Sequence, residues 1–143
     1  MTVRAILSRK GRDVVTISPT ANLSDAVKLL AERRIGAVIV TGPDNRVAGI
    51  LSERDIVRVL GARGPAALDE NVAAVMTRKV TTCTEADTIA GLMEWMTAGK
   101  FRHLPVVDQG RLTGVISIGD VVKSRLEEIE GETNALREYI ATA

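Results

Sequence analysis

Leu23, Ala26, Val27 and Leu30 recur at i, i+3, i+4, i+7, and Ile89, Leu92, Met93 and Met96 repeat that spacing. Each set predicts an amphipathic helix with one apolar face. Short β-branched runs precede them, Val14-Val15-Thr16-Ile17 and Val80-Thr81-Thr82-Cys83. These predict strands. After each helix come two apolar runs separated by a polar turn. In the first half they are Ala37-Val38-Ile39-Val40 and residues 47–51, split by Gly42-Pro43-Asp44-Asn45; in the second, His103-Leu104-Pro105-Val106 and residues 112–116, split by Asp108-Gln109-Gly110. Both read as hairpins.

The pattern is one unit written twice. Gly49-Ile50-Leu51-Ser52-Glu53-Arg54-Asp55 returns as Gly114-Val115-Ile116-Ser117-Ile118-Gly119-Asp120, with the two aspartates 65 positions apart. Each half reads strand, helix, strand, turn, strand, helix. A half of about 60 residues buries too little surface to stand comfortably alone, so the two sheets are expected to pack together. The predicted division is residues 1–61 as the first repeat, 62–71 as linker, 72–122 as the second repeat and 123–143 as a terminal helix. Gly61, Gly64 and Pro65 mark the connection. Asn71 is placed to cap a short helix through Val75, the counterpart of residues 3–7.

The tail has no counterpart in the first half. Val122, Leu126, Ile129, Thr133, Leu136 and Ile140 follow spacings of 4 and 3 alternately, a heptad-like stripe between charged residues. It either packs on its own domain or meets another subunit. Gly131 is a position where the helix can end or kink.

Composition narrows the class. The chain has 143 residues, 45% of them apolar, and a formal charge of +1. That is enough for a core, and too balanced for a protein that coats nucleic acid or an anionic membrane. Aromatics are only 2%, which argues against base-stacking platforms. No secretory leader or apolar run of about 20 residues is readable, and Cys83 has no partner for an internal disulfide, so a cytoplasmic protein without a membrane span is expected.

Candidate chemistry centres on Ser52-Glu53-Arg54-Asp55 and Ser117-Ile118-Gly119-Asp120, each where a strand becomes a helix. A serine with an acidic residue three positions on is a helix-start signature. The same corner offers free backbone N–H groups, and its aspartate can accept two hydrogen bonds from a vicinal diol such as ribose. Basic groups must then hold any phosphate. Arg54, Lys100, Arg102 and His103 are candidates, with Arg33 and Arg34 at the matching first-half corner. His103 is the lone histidine, so a zinc ligand set is missing. Cys83 reads as a small buried hydrophobe rather than a nucleophile, and Trp95 as a packing residue. No phosphate-loop spelling occurs.

These residues resemble the cystathionine-β-synthase (CBS) domain, present as a tandem pair. The resemblance is carried by residues 35–40 with Gly49 to Asp55, and by Phe101-Arg102-His103-Leu104-Pro105-Val106-Val107-Asp108 with Gly114 to Asp120. It implies an α/β (α+β) fold of two βαββα repeats packed about a pseudo-twofold, a Bateman module, with a long C-terminal helix added. It further implies a cleft for adenosine-containing ligands. By motif position, Thr82, Arg102, His103, Pro105, Ser117, Ile118, Gly119 and Asp120 would form one site. Thr16, Gly36, Ala37, Val38, Ser52, Arg54 and Asp55 would form the other. Ile39 against Pro105, and Arg54 against Gly119, make the two unequal.

The expected function is a non-catalytic sensor of adenine nucleotides, AMP first, then NAD(H), ATP or ADP, with no catalytic cofactor or metal. It would dimerise through the CBS faces and the C-terminal helix and act on a separate regulated protein. The alternative is an assembly module without a small-molecule ligand, in which the serine–aspartate motifs only cap helices.

Overall fold

The computed structural model describes residues 1–142. Its elements in chain order are α1 (Val3–Lys10), β1 (Thr16–Ile17), α2 (Leu23–Arg33), β2 (Ala37–Thr41), β3 (Val47–Ser52), α3 (Glu53–Arg63), α4 (Val72–Val75), α5 (Ile89–Gly99), β4 (His103–Asp108), β5 (Arg111–Ser117) and α6 (Ile118–Thr142). The first sheet has the order β1-β2-β3, with β1 parallel and β3 antiparallel to β2. The second has β4 antiparallel to β5. Registers correspond: Ala37 faces Ser52 and Val38 faces Leu51, while His103 faces Ser117 and Leu104 faces Ile116.

Two strands are shorter than the β-branched runs predict. Of residues 14–17 only Thr16 and Ile17 pair, with Ile39 and Val40. Of residues 80–83 only Cys83 pairs, as an isolated parallel bridge to Val106. Its N–H donates to the Pro105 carbonyl at 3.0 Å, and its carbonyl accepts from Val107 N–H at 2.9 Å. The residues before each pairing run along the cleft between the lobes instead of continuing the ladder (below). The amphipathic helices form as their spacing predicts, each with a cap: Asn22 accepts from Asp25 N–H and Thr88 from Gly91 N–H. Asn71 stands at the N-cap of α4 but makes no side-chain cap bond. Trp95 is 48% exposed, because α5 buries Ile89, Leu92 and Met96 and turns Trp95 off that face. Gly131 does not interrupt α6.

The cores are assembled across the repeat. One lobe packs Leu23, Leu30, Val38, Val40 and Leu51 against Val72 and Met76, which lie in and after α4. The other packs Ile89, Leu92, Met96, Leu104 and Ile116 against Val3, Ile6 and Leu7 of α1. Each short helix thus fills the lobe built mainly by the other half. The glycine of each repeated motif makes room for it. A Cβ on Gly49 would lie 2.7 Å from the Thr77 carbonyl oxygen and 2.8 Å from Met76 Sδ; one on Gly114 would lie 2.8 Å from Leu7 Cδ2. The connection after α3 is ordered, with a turn over Pro65–Asp69 and Ala67 buried in the first core. Among the described residues no helix is long and apolar enough to cross a membrane.

Candidate functional site

The lobes touch at their hairpins, where Asn45 Nδ2 donates to the Leu112 carbonyl at 2.9 Å, and Ile50 and Thr77, which exchange backbone hydrogen bonds of 3.0 and 2.8 Å within the first lobe, line the boundary. Two adjoining clefts open there. One, of about 380 Å³, is lined by Gly36, Ala37, Ser52, Glu53 and Arg54 from the first half, and by Thr77, Lys79, Val80, Thr81, Lys100, Phe101, Arg102 and His103. Its charges are mostly cationic, with Glu53 the opposing carboxylate. The second, of about 260 Å³, is largely apolar: Val14, Val15, Ile35, Ala37, Ile39, Ile50 and Val115, with Lys10, Asp13, His103 and Ser117. The clefts share Ala37, Ile50 and His103. An apolar slot therefore leads past His103 to a cationic end.

The two motif aspartates sit in different surroundings. Asp55 is 5% exposed. Its Oδ2 accepts from Ser52 N–H at 3.0 Å and Ser52 Oγ at 3.1 Å, and its Oδ1 from Thr77 Oγ1 at 3.2 Å and Arg58 at 3.4 Å. With Asp55 N–H donating back to Ser52 Oγ, this is a complete capping box, and it uses both carboxylate oxygens. Asp120 has a side chain 25% exposed. Its Oδ2 accepts from Ser117 N–H at 2.9 Å and Lys10 Nζ at 2.7 Å, while Oδ1 has no hydrogen bond among the described residues. Burial pushes this carboxyl's pKa up, but the Lys10 and Ser117 hydrogen bonds outweigh it and hold the group below its ordinary value. The His103 imidazole is held below its usual pKa by burial first, with Lys10 and Arg102 adding to the effect and Asp120 opposing it.

The exchanged short segments explain the contrast. The chain leaving α4 brings the Thr77 hydroxyl onto Asp55. The end of α1 brings the Lys10 ammonium onto Asp120 and, at 2.9 Å, onto the Val115 carbonyl.

Motif position groups site residues within each half, whereas the clefts gather them across halves. Gly36, Ala37, Ser52 and Arg54 line the cationic cleft beside Arg102 and His103; Ser117 lines the apolar slot beside Ala37. Thr16 and Thr82 line neither cleft: Val14, Val15 and Thr81, one or two positions earlier, do so. Val38 is 1% exposed within the core, and Pro105 is buried in β4. Ile118 and Gly119 open α6 on the surface. Lys10, Asp13 and Lys79 are cleft residues that motif matching misses. Lys10 carries no local signal, because its role depends on α1 crossing to the other half. Burial, with Asp87 adding, pushes the Cys83 thiol up to about 12, so it carries almost no thiolate near neutral pH.

The CBS domain model matches residues 3–62 and again 72–127. The chain belongs to the CBS domain family. Its second CBS match runs into α6, past the motif aspartate. Among curated relatives, the CBS domain-containing protein CBSX3, mitochondrial, of Arabidopsis thaliana is 34% identical over 120 residues; the match covers 81% of this chain and 58% of the relative. Of solved structures, the CBS-domain containing protein ATU1752 from Agrobacterium tumefaciens superposes with a TM-score of 0.82 at 48% identity, covering 87% of this chain and 99% of that one. The CBS domain protein PAE2072 from Pyrobaculum aerophilum, complexed with AMP, gives 0.74 at 29% identity, covering 84% and 89%. The fold is therefore a tandem CBS pair with a long C-terminal helix.

Proposed function

We propose that this CBS pair is a regulatory module that binds an adenosine-containing ligand in the joined cleft, AMP first, with NAD(H), ATP or ADP next. The observation that carries the reading is the sequence of surfaces along the cleft. Val14, Val15, Ile35 and Ala37 offer an apolar slot of the kind an adenine ring fills. Asp120 lines neither cleft, but it bonds Lys10 and Ser117 of the slot and keeps Oδ1 open, and in this reading that oxygen accepts from ribose hydroxyls. Arg54, Arg102 and His103, with Lys79 and Lys100, supply cations for phosphate. The AMP complex of PAE2072 supports the nucleotide class. In this reading Asp120 and Ser117 hold the ligand, whereas Asp55 and Ser52 cap α3. The module assembles as a homodimer and conveys occupancy to a separate protein.

Calorimetric titration of AMP, ADP, ATP, NAD(H) and adenosine into wild type, Asp120→Ala and Asp55→Ala tests this. Loss of a charged hydrogen bond costs about 1.5–3 kcal/mol, so Asp120→Ala should weaken AMP by roughly 10- to 150-fold. Folded Asp55→Ala should bind nearly as wild type. Absence of binding by all five compounds sinks the ligand reading. Equal affinity for adenosine and AMP sinks the phosphate role of the cations.

A further inference from the structure

The first three turns of α6 bury Val121 and Ser124 against the body, but residues 129–142 are exposed throughout. Leu126, Ile129, Leu136 and Ile140 are 54%, 44%, 58% and 65% exposed. The apolar stripe is therefore turned away from its own domain. This exposed half of α6 gains no tertiary packing, the main source of helix stability in proteins, and Gly131 weakens it by about 1 kcal/mol. A helix of this kind needs a partner along its stripe.

The charges beside the stripe identify the partner. With Leu126, Thr133 and Ile140 as one row of seam positions and Val122, Ile129 and Leu136 as the other, the flanking positions are Arg125, Glu132 and Tyr139 on one side and Lys123, Glu130 and Arg137 on the other, with Lys123 opposite the uncharged Ile118. In a parallel, in-register pair, a residue on the first side faces the residue five further on in its partner. Arg125 then meets Glu130, and Glu132 meets Arg137, in both directions. All four contacts join opposite charges. Glu130, Glu132 and Arg137 take part in no ion pair among the described residues; Arg125 bonds Glu128 at 2.8 Å within its own helix.

We infer that the C-terminal helix pairs with the same helix of a second copy of this chain, parallel and in register. This deepens the homodimer part of the proposed function, and is independent of the ligand. Two measurements on the full chain test it. Sedimentation equilibrium should show Glu132→Arg weakening the dimer by about three- to tenfold, as expected for exposed ion pairs turned repulsive. The double variant Glu132→Arg/Arg137→Glu should restore wild-type affinity, since its swapped charges again face one another only in the parallel register. Under mild oxidation Ile140→Cys, on the seam, should cross-link quickly, whereas Glu138→Cys, on the outer face, should not; the native Cys83 is 2% exposed. Failure of the double variant to recover, or equal cross-linking at both positions, overturns the parallel pairing. A dimer indifferent to every tail substitution overturns it while leaving a homodimer through other faces. A chain monomeric at all concentrations overturns both.

Discussion

Asp55 and Asp120 end the same motif, at the same point of the same strand-to-helix turn, yet one is sealed and the other half open. Ser52 and Ser117 treat their aspartates alike: in both corners the aspartate accepts the serine N–H, and its own N–H donates to the serine hydroxyl. The difference arrives from a distance. Thr77 lays a hydroxyl over Asp55 Oδ1, which Arg58 also reaches at 3.4 Å, and the carboxylate is buried; Lys10 sets a cation on one oxygen of Asp120 and leaves the other free. Under the proposed function, a motif that caps a helix serves also as a binding corner only where the covering segment leaves room. In the proposed reading, the duplication produced two equivalent turns and then used them differently.

The ligand titration proposed above probes this contrast most directly, since it asks one aspartate to lose affinity and the other to keep it. Stability should show the reverse order. Asp55→Ala leaves the Thr77 hydroxyl and the helix start without their buried acceptor, and should cost about 2–4 kcal/mol in denaturant unfolding. Asp120→Ala, at a partly exposed cap, should cost about 1 kcal/mol. Equal costs would break the distinction between a sealed corner and an open one.

Gly114→Ala tests whether the crossing of α1 shapes the open corner. The new methyl meets Leu7, a flexible side chain, and should cost about 1–3 kcal/mol. A neutral result in thermal unfolding would mean that α1 is held more loosely than its buried face implies.

The smallest effect concerns the cation itself. Asp120 is held below its ordinary pKa, so it contributes stability that is present above the unfolded carboxylate value and is lost as pH falls through the folded one. Lys10→Met should therefore cost stability near pH 7, by under about 1 kcal/mol for so exposed a pair, and nearly nothing once Asp120 is protonated. The same cost at both pH values would assign the contribution of Lys10 to packing or to its Val115 carbonyl bond instead.

Much of the fold was legible because periodicity reports burial directly. The spacing from Leu23 to Leu30 and from Ile89 to Met96 needs no tertiary knowledge to predict a helix with one buried face. The doubled Ser-x-x-Asp likewise marked both corners. The strand predictions at residues 14–17 and 80–83 ran long because β-branched residues favour extended backbone whether or not a neighbouring strand is there to pair with. Val14, Val15, Val80 and Thr81 line the cleft, a role no local propensity distinguishes from a ladder position. Lys10 and Thr77 were silent for a related reason: neither belongs to the motif it completes.

By itself, the sequence determined the duplication, the α2 and α5 faces, the hairpins and a terminal helix with an apolar stripe, since each depends on residues close together in the chain. Only the tertiary structure decided which lobe α1 and α4 fill, and with that which aspartate is buried, which is bridged to a lysine, and which residues share a cleft. A short helix with three or four apolar residues states that one face must be buried. It does not state against which of two nearly equivalent cores, and that choice is made by packing, through close approaches such as Leu7 on Gly114 and Met76 on Gly49.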